Sequence, residues 1–200
     1  MKTIDFAKTH KELYTATRKI KEVSADAAVY LAVESQGEPG GRAFQDAIMA
    51  LYSAVYTLKF SLKHAGRMDF KVAKLECLYF SDPAETPRDQ WRWQLLVRVP
   101  EELTAADLTA AKKAIREKGK GDAAAVKRLR LKEGRALQVL HVGPYCRLCE
   151  SYGPLMAHAA EQGLTLSGPA HEVYLSDPRR VAPEKLKTII RLPVAKRRAK

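Results

Sequence analysis

The residues of this chain best placed to do chemistry are a carboxylate and a phenol two positions apart. They are Glu172 and Tyr174, in the stretch Ala170-His171-Glu172-Val173-Tyr174-Leu175-Ser176-Asp177-Pro178. The stretch alternates and stops at a Pro-containing turn, which is the pattern of a strand. On a strand, Glu172 and Tyr174 share one face, while His171, Val173 and Leu175 share the other. A carboxylate beside a phenol, flanked by apolar residues, can orient a ligand; the competing reading is a solvated strand face. A second acidic residue, Glu76, stands mid-strand in Leu75-Glu76-Cys77-Leu78-Tyr79-Phe80. Cys146-Arg147-Leu148-Cys149 has C-x-x-C spacing, but no second pair lies nearby to complete a zinc site, so no metal is assigned to it.

Composition narrows the classes. Two hundred residues suit one domain or two small fused modules. The apolar share of 46% is ordinary for a chain that buries a core. The net charge is +12 and the pI about 9.7, which favours contact with nucleic acid, anionic lipid or acidic proteins. The basic residues are dispersed, however, and no specific nucleic-acid partner is expected. The densest clusters are 127–132 and the tail Lys196-Arg197-Arg198-Ala199-Lys200, read as a solubilising end. There is no apolar run of transmembrane length and no signal-peptide core at the N-terminus. Three cysteines, an odd count, point to a reducing cytoplasm.

The elements that must position Glu172 and Glu76 follow from periodicity. Residues 1–27 form a polar lead-in, and 28–34 a first strand that ends at Gly37-Glu38-Pro39-Gly40-Gly41. From 42 to 63, Phe44, Ile48, Leu51, Val55, Leu58 and Leu62 recur every three or four residues, predicting a long amphipathic helix closed by Gly66. Tyr52 and Tyr56 lie one turn apart beside its apolar stripe. Residues 70–80 predict a strand carrying Val72, Lys74, Glu76, Leu78 and Phe80 on one face. The strand at 90–99 places Trp91 and Trp93 on a common face, one suited to core packing and the other to stacking a ligand. A helix over 104–118 opens with the N-cap sequence Thr104-Ala105-Ala106-Asp107, and residues 127–132 suit an edge strand. A strand over 135–142 ends at Gly143-Pro144-Tyr145. The helix over 146–162 is expected to kink or split at Gly153-Pro154. Strands at 169–176 and 186–194 complete the chain.

This order contains a repeat. Strand, helix, strand, strand occurs at 28–34, 43–64, 70–80 and 90–99, and again at 135–142, 146–162, 169–176 and 186–194. In each copy the strand after the helix carries its acidic residue mid-strand, Glu76 first and Glu172 second. Neither copy alone easily buries a sheet face, whereas two can pack together. A duplicated module would thus bring both carboxylates toward a shared groove.

Three motifs carry a family resemblance: Leu140-His141-Val142-Gly143-Pro144-Tyr145, then His171-Glu172-Val173-Tyr174-Leu175-Ser176-Asp177-Pro178, then the run from Pro183-Glu184-Lys185 to Arg191-Leu192-Pro193-Val194. Together they resemble the GyrI-like small-molecule-binding domain family. Gly37-Glu38-Pro39, Ala54-Val55-Tyr56-Thr57-Leu58-Lys59-Phe60, Leu75-Glu76 and Trp91-Arg92-Trp93 look like its stand-alone branch. The resemblance implies an α+β fold of two pseudo-symmetric strand-helix-strand-strand (SHS2) modules with antiparallel sheets and a central pocket. It implies a domain over 28–194, with module one about 28–100, a linking helix 104–118 and module two about 135–194, between the lead-in and a tail at 195–200. In the family the pocket binds bulky, often aromatic and cationic compounds, and its central acidic residue matches Glu172. Some members are the sensing halves of transcription regulators or are linked to gyrase inhibition. The stand-alone branch includes hydrolases that open the cyclopropane ring of DNA-alkylating compounds, a detoxification. Cys77-Leu78-Tyr79-Phe80 departs from the branch, where Gly and a tryptophan pair would follow Leu-Glu.

The expected mechanism has a pocket carboxylate activate water against an electrophilic ring carbon, without a cofactor. Glu172 is the expected base, Glu76 its partner or substitute, and Tyr145 the expected phenol donor. Tyr52, Tyr56, Phe80, Trp91, Trp93 and Tyr174 are expected to contact the ligand. A non-catalytic binder of planar cations, or a protein-interaction role, are the alternatives.

Overall fold

The computed structural model describes residues 2–119 and 121–197. In chain order the strands are β1 (Thr3–Ile4), β2 (Lys21–Ala25), β3 (Ala28–Gln36), β4 (Asp69–Phe70), β5 (Leu75–Tyr79), β6 (Arg92–Val99), β7 (Lys127–Leu131), β8 (Gly134–Val142), β9 (Leu164–Leu166), β10 (Ala170–Tyr174) and β11 (Lys187–Lys196). The helices are α1 (Phe6–Thr9), α2 (Lys11–Tyr14), α3 (Arg42–His64), α4 (Ala105–Glu117) and α5 (Cys149–Glu161). The chain divides into two compact units, Met1–Thr9 with Ala28–Leu131, and His10–Ala27 with Lys132–Lys200. The mixed α/β architecture with antiparallel sheets agrees with the fold expected from the sequence.

In the first unit β5, β6, β3 and β7 pair antiparallel in that order, and β1 runs parallel to β4. Helix α3 buries Phe44, Leu51, Val55, Leu58 and Leu62 of the stripe predicted by its period, while Ile48 is half-buried. Gly66, at φ 65, supplies the left-handed turn that ends it. The sheet face toward α3 carries Trp93, whose ring meets Phe44 edge-on at 4.8 Å. The opposite face carries the cluster Ala28, Tyr30, Ala32, Leu78 and Leu96. Helix α4 starts with a complete capping box between Thr104 and Asp107. The expected strand 70–80 is in fact two pieces. Asp69 and Phe70 pair with β1, the Lys71 N–H donates to the Ile4 carbonyl, and the ladder with β6 starts only at Leu75. Phe80 therefore falls outside the strand.

In the second unit β2, β8, β11 and β10 pair antiparallel in that order, with β9 added to β11. The two units thus share a core pattern: β5 pairs with β6, which pairs with β3, just as β10 pairs with β11, which pairs with β8. The register defines two faces. Glu172, Ile190 and Val139 are directly opposed, as are Tyr174, Thr188 and His141, and these two rows share a face. Helix α5 packs there, with Leu155 and Ala159 against Val139, Ile190 and Leu192. The other face carries His171, Arg191 and Gln138, and the lead-in is tied to it. Arg191 donates to the Leu13 carbonyl at 2.7 Å, and the Gln138 amide donates to the Glu12 carbonyl at 3.0 Å.

Helix α5 runs unbroken through Gly153-Pro154. The break falls earlier, where a 3-10 turn, Tyr145–Arg147, meets the helix at Leu148. The ring of Pro154 removes one backbone donor, but fully buried Leu155 beside it holds the helix on the sheet. The last strand extends to Lys196, past the predicted end, because Val194, Ala195 and Lys196 pair with β9. Of the predicted basic tail, Arg198, Ala199 and Lys200 lie outside the described residues.

Candidate functional site

Strand alternation sends Glu172 to the α5 face, where its side chain is 4% exposed. Two phenols hold it. Tyr152, on α5, donates to Oε1 at 2.9 Å, and Tyr174, two residues along β10, donates to Oε2 at 2.9 Å. Tyr145, in the 3-10 turn before α5, sets its ring edge against Tyr174, with centroids 5.6 Å apart at 79°. Burial raises the Glu172 carboxyl above its ordinary value, while the two phenol hydrogen bonds and the charge of His171 pull the other way. No lysine or arginine among the described residues acts on it. Burial also raises Tyr145, and the charges of Glu172 and Asp177 raise it further, so this phenol keeps its proton at neutral pH.

A buried carboxylate held by hydrogen-bond donors rather than a counter-ion can accept a cation, or it can accept a proton as a base. A proton-bearing phenol within the same cluster can supply the complementary acid.

The structure therefore brings Glu172, Tyr174 and Tyr145 together. Tyr152 is the member that the sequence reading missed, because Gly153-Pro154 directly after it suggested a break. Its signal was present: Leu148, Tyr152, Leu155 and Ala159 follow a four-three-four spacing and form one inward stripe.

The remaining predicted site residues belong to the first unit. Glu76 lies opposite Leu96 on β5, 1% exposed. Tyr52 and Tyr56 stand along α3 with rings 6.2 Å apart, Tyr52 half-buried and Tyr56 exposed. Phe80 is exposed beneath the Arg92 guanidinium. Trp91 precedes β6, half-buried against Tyr79, and its indole N–H donates to the Thr86 carbonyl at 2.9 Å. Trp93 is fully buried and donates to the Gly37 carbonyl at 2.9 Å, which makes it a core residue. Among the described residues no group of three or more His, Cys, Asp or Glu could hold a metal ion, and no helix is long and apolar enough to cross a membrane.

Residues 16–195 match the GyrI-like small molecule binding domain. Among solved structures, the chain is similar to an uncharacterized conserved protein from Listeria innocua. The two are 35% identical over 96% of this chain and 100% of that one, with a TM-score of 0.90. It is also similar to a hydrolase from Listeria innocua, at 35% identity, 96% and 100% coverage and a TM-score of 0.88. The EcmrR C-terminal domain shares the fold, at 16% identity, 90% and 97% coverage and a TM-score of 0.58. No curated protein matches the chain. The chain belongs to the GyrI-like small-molecule-binding domain family.

Proposed function

We propose that the Glu172 cluster binds bulky aromatic compounds and hydrolyses an electrophilic, cyclopropane-bearing compound of the DNA-alkylating type, a detoxification. The observation that carries this reading is the buried Glu172, held by two phenols with no lysine or arginine among the described residues neutralising it. The 35% identity to a Listeria innocua hydrolase supports it. In the reaction, Glu172 takes a proton from water as the water oxygen bonds to the electrophilic ring carbon. The strained carbon–carbon bond breaks, and its electron pair moves to the conjugated carbonyl oxygen. The Tyr145 phenol gives that oxygen its proton, and the proton held by Glu172 returns to the phenolate, so that one water is added overall.

The test is incubation with a cyclopropane-bearing DNA alkylator, with the ring-opened product followed by mass spectrometry in wild type and Glu172→Gln. Catalytic turnover in wild type, lost in the variant, is expected. Stoichiometric binding without product would sink the enzymatic reading.

The same feature favours a second reading, sequestration of an aromatic cation. A carboxylate whose hydrogen bonds come from neutral phenols, beside tyrosine rings, offers charge pairing and cation–π contact together. Calorimetric titration with a lipophilic aromatic cation, in the absence of turnover, would support this reading instead.

A further inference from the structure

We propose that His141 and Thr188 seat the water that the hydrolysis consumes, forming a second polar half of the site; this rests on the hydrolytic reading above. His141, Thr188 and Tyr174 are directly opposed across β8, β11 and β10, and their row adjoins that of Glu172 on the α5 face. His141 is 4% exposed and Thr188 fully buried. The Nδ1 atom of His141 lies 2.9 Å from Ser151 Oγ, in the first turn of α5, which fixes the ring. Its other nitrogen, Nε2, and the Thr188 Oγ1 are both buried without a hydrogen-bond partner among the described residues.

Buried polar atoms nearly always find a partner. Two such orphans on directly opposed residues call for one ligand able to bond both. The space beside Nε2 is bounded by a residue with no side chain: a Cβ on Gly143 would come within 3.2 Å of Nε2, and the φ of 148° there disfavours any L side chain. Water fits these requirements, being small and able both to donate and to accept. The reaction also needs such a seat, since each Glu172 oxygen already accepts a phenol and the nucleophile must be held from another side. Thr188 lies diagonal to Glu172 on the sheet, and such neighbours are about 7–8 Å apart, somewhat less between Cβ atoms, a gap that a water between the two side chains spans.

The experiment pairs crystal structures of wild type and Thr188→Val, at a resolution that shows ordered water, with steady-state kinetics on a cyclopropane-bearing alkylator. Valine keeps the shape and removes the hydroxyl. The expected result is a water within hydrogen-bond distance of Nε2 and Oγ1 in wild type and none in the variant. Turnover should fall about tenfold, the value of one hydrogen bond to the nucleophile, with KM within about twofold. A dry wild-type site, or a variant with wild-type turnover, overturns the proposal. If wild type holds the water but opens no ring, the hydrolytic reading falls, and with it the claim that this water is consumed. Ring opening over a dry site overturns the water seat alone.

Discussion

Glu133 and Glu172 have buried side chains in one unit; β10 supplies His171 to the first and carries the second as the next residue. Alternation along β10 sends His171 to one face, toward Glu133, and Glu172 to the other, toward Tyr152. Glu133 receives Arg191 at 2.8 Å and His171 at 2.9 Å. Burial works against its charge, but His171 and Arg191 outweigh it and hold the carboxyl down at about 2. Arg191 also donates to Gln138 at 3.0 Å and to the Leu13 carbonyl, so this network fastens the lead-in to the sheet. Glu172 is bonded by phenols instead; burial outweighs them and the charge of neighbouring His171, and it is held above its ordinary value. The same residue type in the same unit thus does opposite work. Bonded to cations it is a structural clasp; bonded to phenols it keeps its affinity for a proton or a positive ligand.

Substituting each carboxylate by its amide separates the two roles. Glu172→Gln should lower ring-opening turnover by about 10³-fold, within the range of general-base catalysis. Its midpoint of urea unfolding at pH 7 should not fall, because the amide removes a charge that burial disfavours. Glu133→Gln should do the reverse, losing about 3–5 kcal/mol of stability by leaving Arg191 without its buried partner. The lead-in should then become sensitive to limited proteolysis. If Glu172→Gln unfolds the protein, or Glu133→Gln leaves its stability intact, the division of labour is wrong.

The contrast was only half legible in the sequence. Alternation placed Glu172 and Tyr174 on a common face and His171 on the other, and the repeat set out the order of elements. Glu133, by contrast, reads locally as a turn residue before Gly134. Its partners lie 38 and 58 residues away, and only the β8–β11–β10 register brings them to it. Arg191 reads as an interruption in an apolar strand, and the Leu13 carbonyl that it binds is 178 residues distant. Periodicity shows which face a residue takes, but it does not show which main-chain carbonyl from elsewhere in the chain will meet it there. Trp93 shows a related limit: alternation gives its face, but that this face is core depends on where α3 lands.

The two carboxylates should also respond to pH with opposite sign. The folded value of Glu133 is depressed, so its stabilisation is fully present above an unfolded value of 4.5 and is lost as pH falls toward about 2. That amounts to about 3 kcal/mol across the window. The folded value of Glu172 is raised, so its unfavourable contribution develops as pH rises above 4.5 and is absent in acid. Urea unfolding of wild type and Glu172→Gln from pH 3 to 8 should show the variant equal to wild type in acid and more stable at neutral pH. A gap that widens in acid would mean that Glu172 is stabilised as an anion after all.

The smallest effects should come from the phenols, and they probe what tunes Glu172 rather than what it does. Tyr152 and Tyr174 each donate to the charged form, so removing either hydroxyl should raise the carboxyl further. Because the base must be ionised, the acidic limb of the turnover profile should move to higher pH in Tyr152→Phe and in Tyr174→Phe. One hydrogen bond of about 1 kcal/mol corresponds to less than about one pH unit. Tyr145→Phe makes the contrast, since Tyr145 packs edge-on against Tyr174 and is assigned the proton for the leaving electron pair. It should lower the plateau rate and leave the acidic limb nearly in place. If the limb moves to lower pH when Tyr152 or Tyr174 is replaced, those phenols accept from a protonated Glu172 instead of donating to its anion, and the proton inventory of the site must be reversed.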